Sequence, residues 1–237
     1  MGKKGGDTRV KRQMAPTFWD IKRKQSQFVL TVKPGPHPKK KSYPLGMVLR
    51  DALKLTSTMH EAERVLIEGK VKVDGVVRRD PNLAVGLMDV VELSTGQAFR
   101  MVPKNSLLLT PIAIDQSESN IKLVKVTSKK TIKGKKIQYG FHDGKTMITE
   151  QKLKVGDSCV IQLPDVQVKN HFPFVKSSTA LIVSGENAGH IGKIGDIRDG
   201  IFSLPKRALV SFEERSVELP VEIVMVVGSD KPVIKVS

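Results

Sequence analysis

Between Tyr43 and Leu93 the chain carries the pattern of two short helices laid on a small sheet, and no other stretch limits the fold so tightly. Thr58-Met59-His60-Glu61 is a capping box, in which the Thr58 hydroxyl and the Glu61 carboxylate each satisfy a backbone N–H left orphaned at a helix start. Ala62, Val65 and Leu66 form the buried face of that helix, and Gly69 ends it in a left-handed conformation that a side chain resists. Upstream, Leu45, Val48, Leu49, Ala52 and Leu53 fall at the spacing of one helical stripe, with Pro44 suited to the first turn. Downstream, Val71, Val73, Val76 and Val77 flank Asp74-Gly75, which permits the positive φ angles of a two-residue hairpin turn, and a further strand is expected over Asp89–Leu93. The outward residues are basic: Arg50 and Lys54 on the first helix, Arg64 on the second, and Lys70, Lys72, Arg78 and Arg79 from the hairpin. On the residues alone such a side serves equally as a phosphate-facing surface or as solvated charge on an ordinary small domain.

Val48-Leu49-Arg50-Asp51, then Ala62-x-x-Val65-Leu66-Ile67-x-x-Gly69-x-Val71-x-Val73-Asp74-Gly75, then Gly86-x-x-Asp89-Val90-Val91 resembles, in order and spacing, the S-four-type RNA-binding domain. The resemblance implies a compact clamp on structured RNA built from the helix pair and the following strand. It carries an RNA-contacting role to Arg50, Lys54, Thr56, Ser57, Arg64, Lys70 and Lys72, with Arg78 and Arg79 as adjoining candidates. Many members have an Arg directly after the cap of the second helix, where this chain has Met59.

The net charge of +16 in 237 residues calls for a polyanionic partner, with nucleic acid ahead of a membrane, because no apolar run approaches the roughly 20 residues of a spanning helix. No apolar signal region follows the first lysines, and the lone Cys159 excludes an internal disulfide framework or a cysteine zinc site, so a reduced cytoplasmic setting is expected. Residues 1–41 hold twelve Lys and Arg against Asp7 and Asp20. Such a segment is expected to bind rather than fold, leaving 42–237 to fold without it. Its RNA-binding candidates are Lys3, Lys4, Arg9, Lys11 and Arg12, then Lys22, Arg23 and Lys24, then Lys39, Lys40 and Lys41. Lys33-Pro34-Gly35-Pro36-His37-Pro38 closes it as a stiff extended linker.

After Leu93 the pattern changes to short β-branched runs at 107–114, 121–126, 137–141, 146–148 and 155–163, separated by turns such as His142-Asp143-Gly144. Lys129, Lys130, Lys133, Lys135 and Lys136 cluster on one hairpin, where they either extend a phosphate-binding surface or guard a sheet edge. Thr179 to Ile194 resembles the KOW motif, a strand, loop and strand found in ribosomal proteins and transcription elongation factors, with Gly185, Gly189 and Gly192 in its loop and His190 and Lys193 beside them. The basic residue usual before the central glycine is Ala188 here. Glu213, Glu214, Glu218 and Glu222 form an acidic patch expected to face solvent or a basic protein neighbour. The five histidines are dispersed, and neither a G-x-S-x-G nucleophile turn nor a phosphate loop occurs, so no enzyme activity, no metal and no cofactor is expected.

Taken in order, these parts resemble, across nearly the whole chain, the S-four-e family of the archaeal and eukaryotic small ribosomal subunit. Shortness at the C-terminus favours an archaeal member. The expected fold is α+β and multidomain: a basic extension at 1–41, a helix-pair-on-sheet RNA-binding domain at 42–105, a central β domain at 106–173, and a KOW-containing, SH3-like barrel at 174–237. The implied role is structural, in the cytoplasm and within the ribosome. Its expected partners are small-subunit (16S-type) rRNA and neighbouring small-subunit proteins, without membrane or small-molecule substrate. The alternative is an accessory module of an RNA-modifying enzyme or a transcription factor.

Overall fold

The computed structural model describes residues 8–19, 21–22, 24, 26–104, 107–212 and 215–236, with only the backbone of Leu107 and Leu108. Lys3, Lys4 and Arg23 of the expected RNA surface, and Glu213 and Glu214 of the acidic patch, lie outside these residues. The described chain is mostly β with two short helices. An N-terminal hairpin pairs β1 (Arg9–Lys11) with β2 (Phe28–Leu30). Then come β3 (Tyr43–Pro44), α1 (Leu45–Met47) with a wider turn over Val48–Ala52, and α2 (Met59–Ile67). β4 (Val71–Val73), β5 (Val76–Val77), β6 (Ala84–Val85), β7 (Val90–Leu93), β8 (Ala98–Lys104) and β9 (Leu107–Ile114) follow. Five of these form a sheet in the order β5-β4-β7-β8-β9, while β6 pairs with β3.

The capping box forms as the sequence requires: the Thr58 hydroxyl accepts from the Glu61 N–H, and the Glu61 carboxylate accepts from the Thr58 N–H. Asp74 and Gly75 both take positive φ in the hairpin turn, and Gly69 does so at the end of α2. The first helix departs from expectation. The Leu53 N–H donates five residues back to Val48 O, and the widened turn breaks the 3.6-residue spacing, so Ala52 faces solvent instead of the core.

This first sheet is covered on both faces. Val71, Val73, Val91 and Met101 pack under the helices with Leu45, Val48, Leu49, Ala62 and Leu66. Their neighbours Val90, Ala98 and Val102 point the other way, into cores shared with the rest of the chain. That second face meets the sheet of β10 (Ile121–Thr131), β11 (Ile137–Phe141), β12 (Thr146–Ile148), β13 (Ser158–Gln162) and β14 (Gln167–Phe172), ordered β12-β11-β10-β13-β14. A third sheet holds β15 (Thr179–Ile182), β16 (Ile191–Arg198), β17 (Arg207–Phe212), β18 (Arg215–Pro220) and β19 (Val224–Gly228), ordered β18-β17-β16-β15-β19. The hydrogen-bonded order of both later sheets is open, not a closed ring. Pairing also crosses residue 105, since β9 returns along β8 in the first sheet.

The proline-rich segment is not a free spacer. His37 is buried against Asp89, and Pro36 lies against Gly144, whose positive φ lets the turn approach closely. Upstream, Trp19 is 2% exposed, packs with Val29, Leu30 and Met47, and donates from Nε1 to Ser42 O at 2.9 Å. Asn82 Nδ2 donates to Thr8 O and Thr31 O, tying the N-terminal hairpin to the first sheet. The described residues of 8–41 therefore share a core with the body, contrary to the expectation that this segment does not fold. Trp19→Ala should destabilise the full chain by about 3–5 kcal/mol, read as a lower urea midpoint with unchanged slope; a change under about 1 kcal/mol would show that the segment is not docked in solution.

Candidate nucleic-acid interface

Before any cation can face a ligand, the chain spends three of them inside. Lys122, fully buried on β10, donates from Nζ to Asp74 at 2.7 Å, Asp89 at 2.6 Å and Asp143 at 3.0 Å. The carboxylates come from the hairpin turn of the first sheet, the approach to β7, and the turn after β11. Lys145 adds a second cation on Asp74, and His37 donates from Nε2 to Asp89, which as a carboxylate can only accept. Gly86 carries no side chain because the His37 ring occupies the place where a Cβ would stand. Burial alone would raise the Asp89 and Asp143 carboxyls, but the Lys122 ammonium overrides it and both lie below the usual range. Burial would likewise lower Lys122, and the three aspartates outweigh it, so the amine is held above its ordinary value.

Lys125 leaves the other face of the same strand. Its Nζ donates to the carbonyls of Val221, Glu222 and Val224 at 2.6, 3.0 and 2.7 Å, joining the second sheet to the third. Burial pulls it down to about 8, which still leaves three N–H groups for three acceptors at neutral pH. Arg100 of β8 is the third cation, donating to Glu118 Oε2, Glu118 O, Ile121 O and Lys235 O. His142 sits among them. The Lys125 N–H donates to its Nδ1 while Nε2–H donates to Leu87 O, and burial together with the Lys122 charge pushes it down to about 4.

The expected surface residues divide into groups. Glu68 holds Lys70 at 2.6 Å and Arg64 at 3.7 Å at the end of α2, where Arg79 also lies close to Gly69. Arg50 pairs with the adjacent Asp51. Lys54, Ser57, Arg78 and Arg79 are exposed and, among the described residues, Lys54, Arg78 and Arg79 have no ion-pair partner. Thr56 is half-buried, with its hydroxyl oxygen enclosed and unbonded. Lys72 does not join the helix-side cations, because Val71 and Val73 face the helices and the residue between them leaves the opposite face. In the N-terminal segment Arg9, Lys11, Lys22, Lys24, Lys40 and Lys41 are exposed and Lys39 half-buried, whereas Arg12 turns its guanidinium inward to Ile21 O. Met59, at the position where the sequence resemblance leads one to expect Arg, packs between the N-terminal and first-sheet cores.

The 183–190 loop approaches protein, not open space. At Gly189, φ is +91° and a Cβ would stand 2.8 Å from Pro103 O and 2.9 Å from Lys104 Cα, so the loop docks on β8. Gly192 lies not in the loop, as expected, but in β16, closed off by Ser211 O and Val210, whereas a Cβ at Gly185 would meet nothing within 4 Å. His190 stacks on Phe212 at 5.3 Å between centroids, and Lys193 stays exposed. In the acidic patch, Glu218 is taken by Arg198 and Arg207.

Three family models match this sequence: an RS4NT (NUC023) domain over residues 4–40, an S4 domain over 45–91, and ribosomal family S4e over 95–168. The small ribosomal subunit protein eS4 of Aeropyrum pernix is 36% identical over 247 residues, spanning 99% of this chain and 97% of that protein. The protein of the same name from Korarchaeum cryptofilum is 38% identical over 99% of both. The chain belongs to the S4e family of ribosomal proteins. The crystal structure of the S4e protein from Thermoplasma acidophilum superposes with a TM-score of 0.69 at 34% identity, covering 80% of this chain and 96% of that one.

The internal cations of this S4e protein escaped the sequence reading because Ile121–Val126 looks like an ordinary strand with two lysines in it. The available signal was its alternation: strand residues buried on both faces leave no solvent side on which Lys122 or Lys125 could point. Lys122→Met should cost about 3–5 kcal/mol at pH 7, since three carboxylates lose the ammonium they share. Without the ammonium the Asp89 and Asp143 carboxyls are pushed up by burial and take up protons as the pH falls, so the gap to wild type should shrink between pH 7 and 4. Wild type itself should weaken over about pH 6.5 to 4, because His142, lowered in the folded chain, contributes stability above its unfolded value that is lost on acidification. Urea titrations of both proteins across this range provide the check; a gap that widens in acid contradicts the assignment.

Proposed function

We propose that this chain is a structural constituent of the small ribosomal subunit that binds small-subunit rRNA and supports subunit assembly and translation. The observation that carries this is end-to-end kinship with proteins named small ribosomal subunit protein eS4, at 34–38% identity with no large part of either chain left over. The physical setting agrees with it. Internal cations are matched by internal acceptors, so the net +16 is presented outward, where release of counterions on meeting phosphate favours binding. No turnover is required of such a component, and its place is in the ribosome beside other small-subunit proteins.

The S4-type unit, with the N-terminal segment packed against it, is the proposed RNA face. Lys54, Arg78 and Arg79 are cations on it without an ion-pair partner among the described residues, and Arg64 and Lys70 are held in place by Glu68. We further assign the helix pair and first sheet, the central β unit and the C-terminal β unit as three modules, the last with a KOW-like strand, loop and strand over 179–194. Its loop serves packing, because the approach at Gly189 is to β8.

Lys54→Gln/Arg78→Gln/Arg79→Gln should weaken binding to small-subunit rRNA at low salt and flatten the plot of log affinity against log salt by about three, roughly one for each phosphate no longer neutralised. An unchanged slope, with the melting curve also unchanged, removes these residues from the interface. Failure of the wild-type chain to bind the rRNA at all would remove the functional reading. Gly189→Ala should lose about 1–3 kcal/mol and Gly185→Ala less, since only the first adds a steric clash to the strained φ; equal losses in thermal melts would refute the docking of this loop.

A further inference from the structure

The C-terminal unit differs from the rest in charge. Residues 174–237 contain eight Lys and Arg and eight Asp and Glu, so the whole excess of +16 lies in residues 1–173. Yet this neutral unit carries the most exposed large apolar side chain among the described residues. Between β16 and β17 the chain makes a tight hairpin at Ile201-Phe202-Ser203-Leu204, with Ile201 N–H donating to Leu204 O and Leu204 N–H donating to Ile201 O. Phe202 is fully exposed at its tip, Ile201 is 71% exposed, and Leu204 is also turned to solvent. The two cross-bridging hydrogen bonds hold the tip in one shape, so a partner would not have to order it on binding.

We propose that this tip is a protein-docking knob that seats Phe202, with Ile201 and Leu204, in an apolar socket of a neighbouring folded protein of the small subunit. The proposal rests on the ribosomal role above and names a surface within it. A large apolar cluster raised from the surface calls for a cover. An RNA base could stack on Phe202, but base stacking in RNA-binding surfaces comes with cations aimed at the adjoining phosphates. Here each cation at the foot of the hairpin is engaged by a carboxylate of the chain: Lys206 by Asp199 at 2.8 Å, while Arg198 and Arg207 share Glu218 at 3.3 and 3.4 Å. The resulting rim carries both signs, three cations interleaved with two carboxylates, and complements the mixed-charge rim of a protein socket better than a row of phosphates.

The test replaces Phe202 with a photo-crosslinking phenylalanine analogue and, separately, makes Phe202→Ser. Two probes are used: protein-free small-subunit rRNA, and small subunits reconstituted with every protein except this one. The expected result is a crosslink to a protein of the reconstituted particle, rRNA affinity equal to wild type, and at least about tenfold weaker binding of Phe202→Ser to the particle. A crosslink to rRNA, a crosslink to a second copy of this chain, or particle binding unaffected by Phe202→Ser would each overturn the proposal. An unchanged melting temperature is expected for Phe202→Ser, since the ring is fully exposed. If wild type binds neither probe, the ribosomal role itself fails; if it binds both and the variant does too, only the knob fails.

Discussion

One ammonium group fixes how the sheets of this protein meet. Lys122 brings a cation into a dry interior and is compensated only because three carboxylates arrive from three separate segments. Two of those, Asp74 and Asp89, belong to the S4-type unit, while Asp143 and Lys122 itself belong to the central unit. Replacing such a network with apolar groups often costs nothing in stability, so its value lies elsewhere. A hydrophobic contact tolerates sliding by an ångström, whereas an ammonium with three directed partners does not. The geometry of the S4-type unit relative to the central sheet is thereby specified, and with it the spacing of cations across the outer surface.

The same strand shows how the specification extends. Residues 122–126 of β10 are buried on both faces, and each face gives up one position to a lysine: Lys122 toward the S4-type sheet and Lys125 toward the third sheet. Arg100 makes the third tie, reaching Glu118, Ile121 and Lys235 from the S4-type sheet. A protein selected for an excess of basic residues has thus placed a few of them where other proteins use apolar side chains, each surrounded by acceptors enough to cancel its charge. The cations left outside can repel one another and attract phosphate without loosening the interior.

Local chemistry was legible in the sequence. The capping box at Thr58, the Asp74-Gly75 turn and the left-handed Gly69 follow from rules that act within four residues, and all three appear. Strands 107–114, 137–141 and 146–148 could also be read, because turn residues bracket them. β8 and β14 were missed: Arg100 interrupts one apolar run, and Lys169, Asn170 and His171 make the other look like a loop. What could not be read was long-range. Gly35-Pro36-His37 and Gly86-x-x-Asp89 each stood out as local motifs, but nothing in either shows that His37 caps Asp89 over a glycine 49 residues away. Charge density likewise argued for a free N-terminal arm, and only the buried Trp19 and Asn82 reveal a docked one.

The Arg100 contact has a consequence for the order in which the molecule can be completed. Its acceptors at Glu118 and Ile121 emerge about 20 residues later during synthesis, but Lys235 follows by 135 residues. Ile234 and Val236 likewise fill places in a core whose other walls, Met88, Val102 and Leu123, were made long before. The helix pair, built from contacts local in sequence, can form while the chain is still growing. A nascent chain can therefore present its basic face early, whereas closure of the three sheets into one body waits for residues 234–236 to join the core.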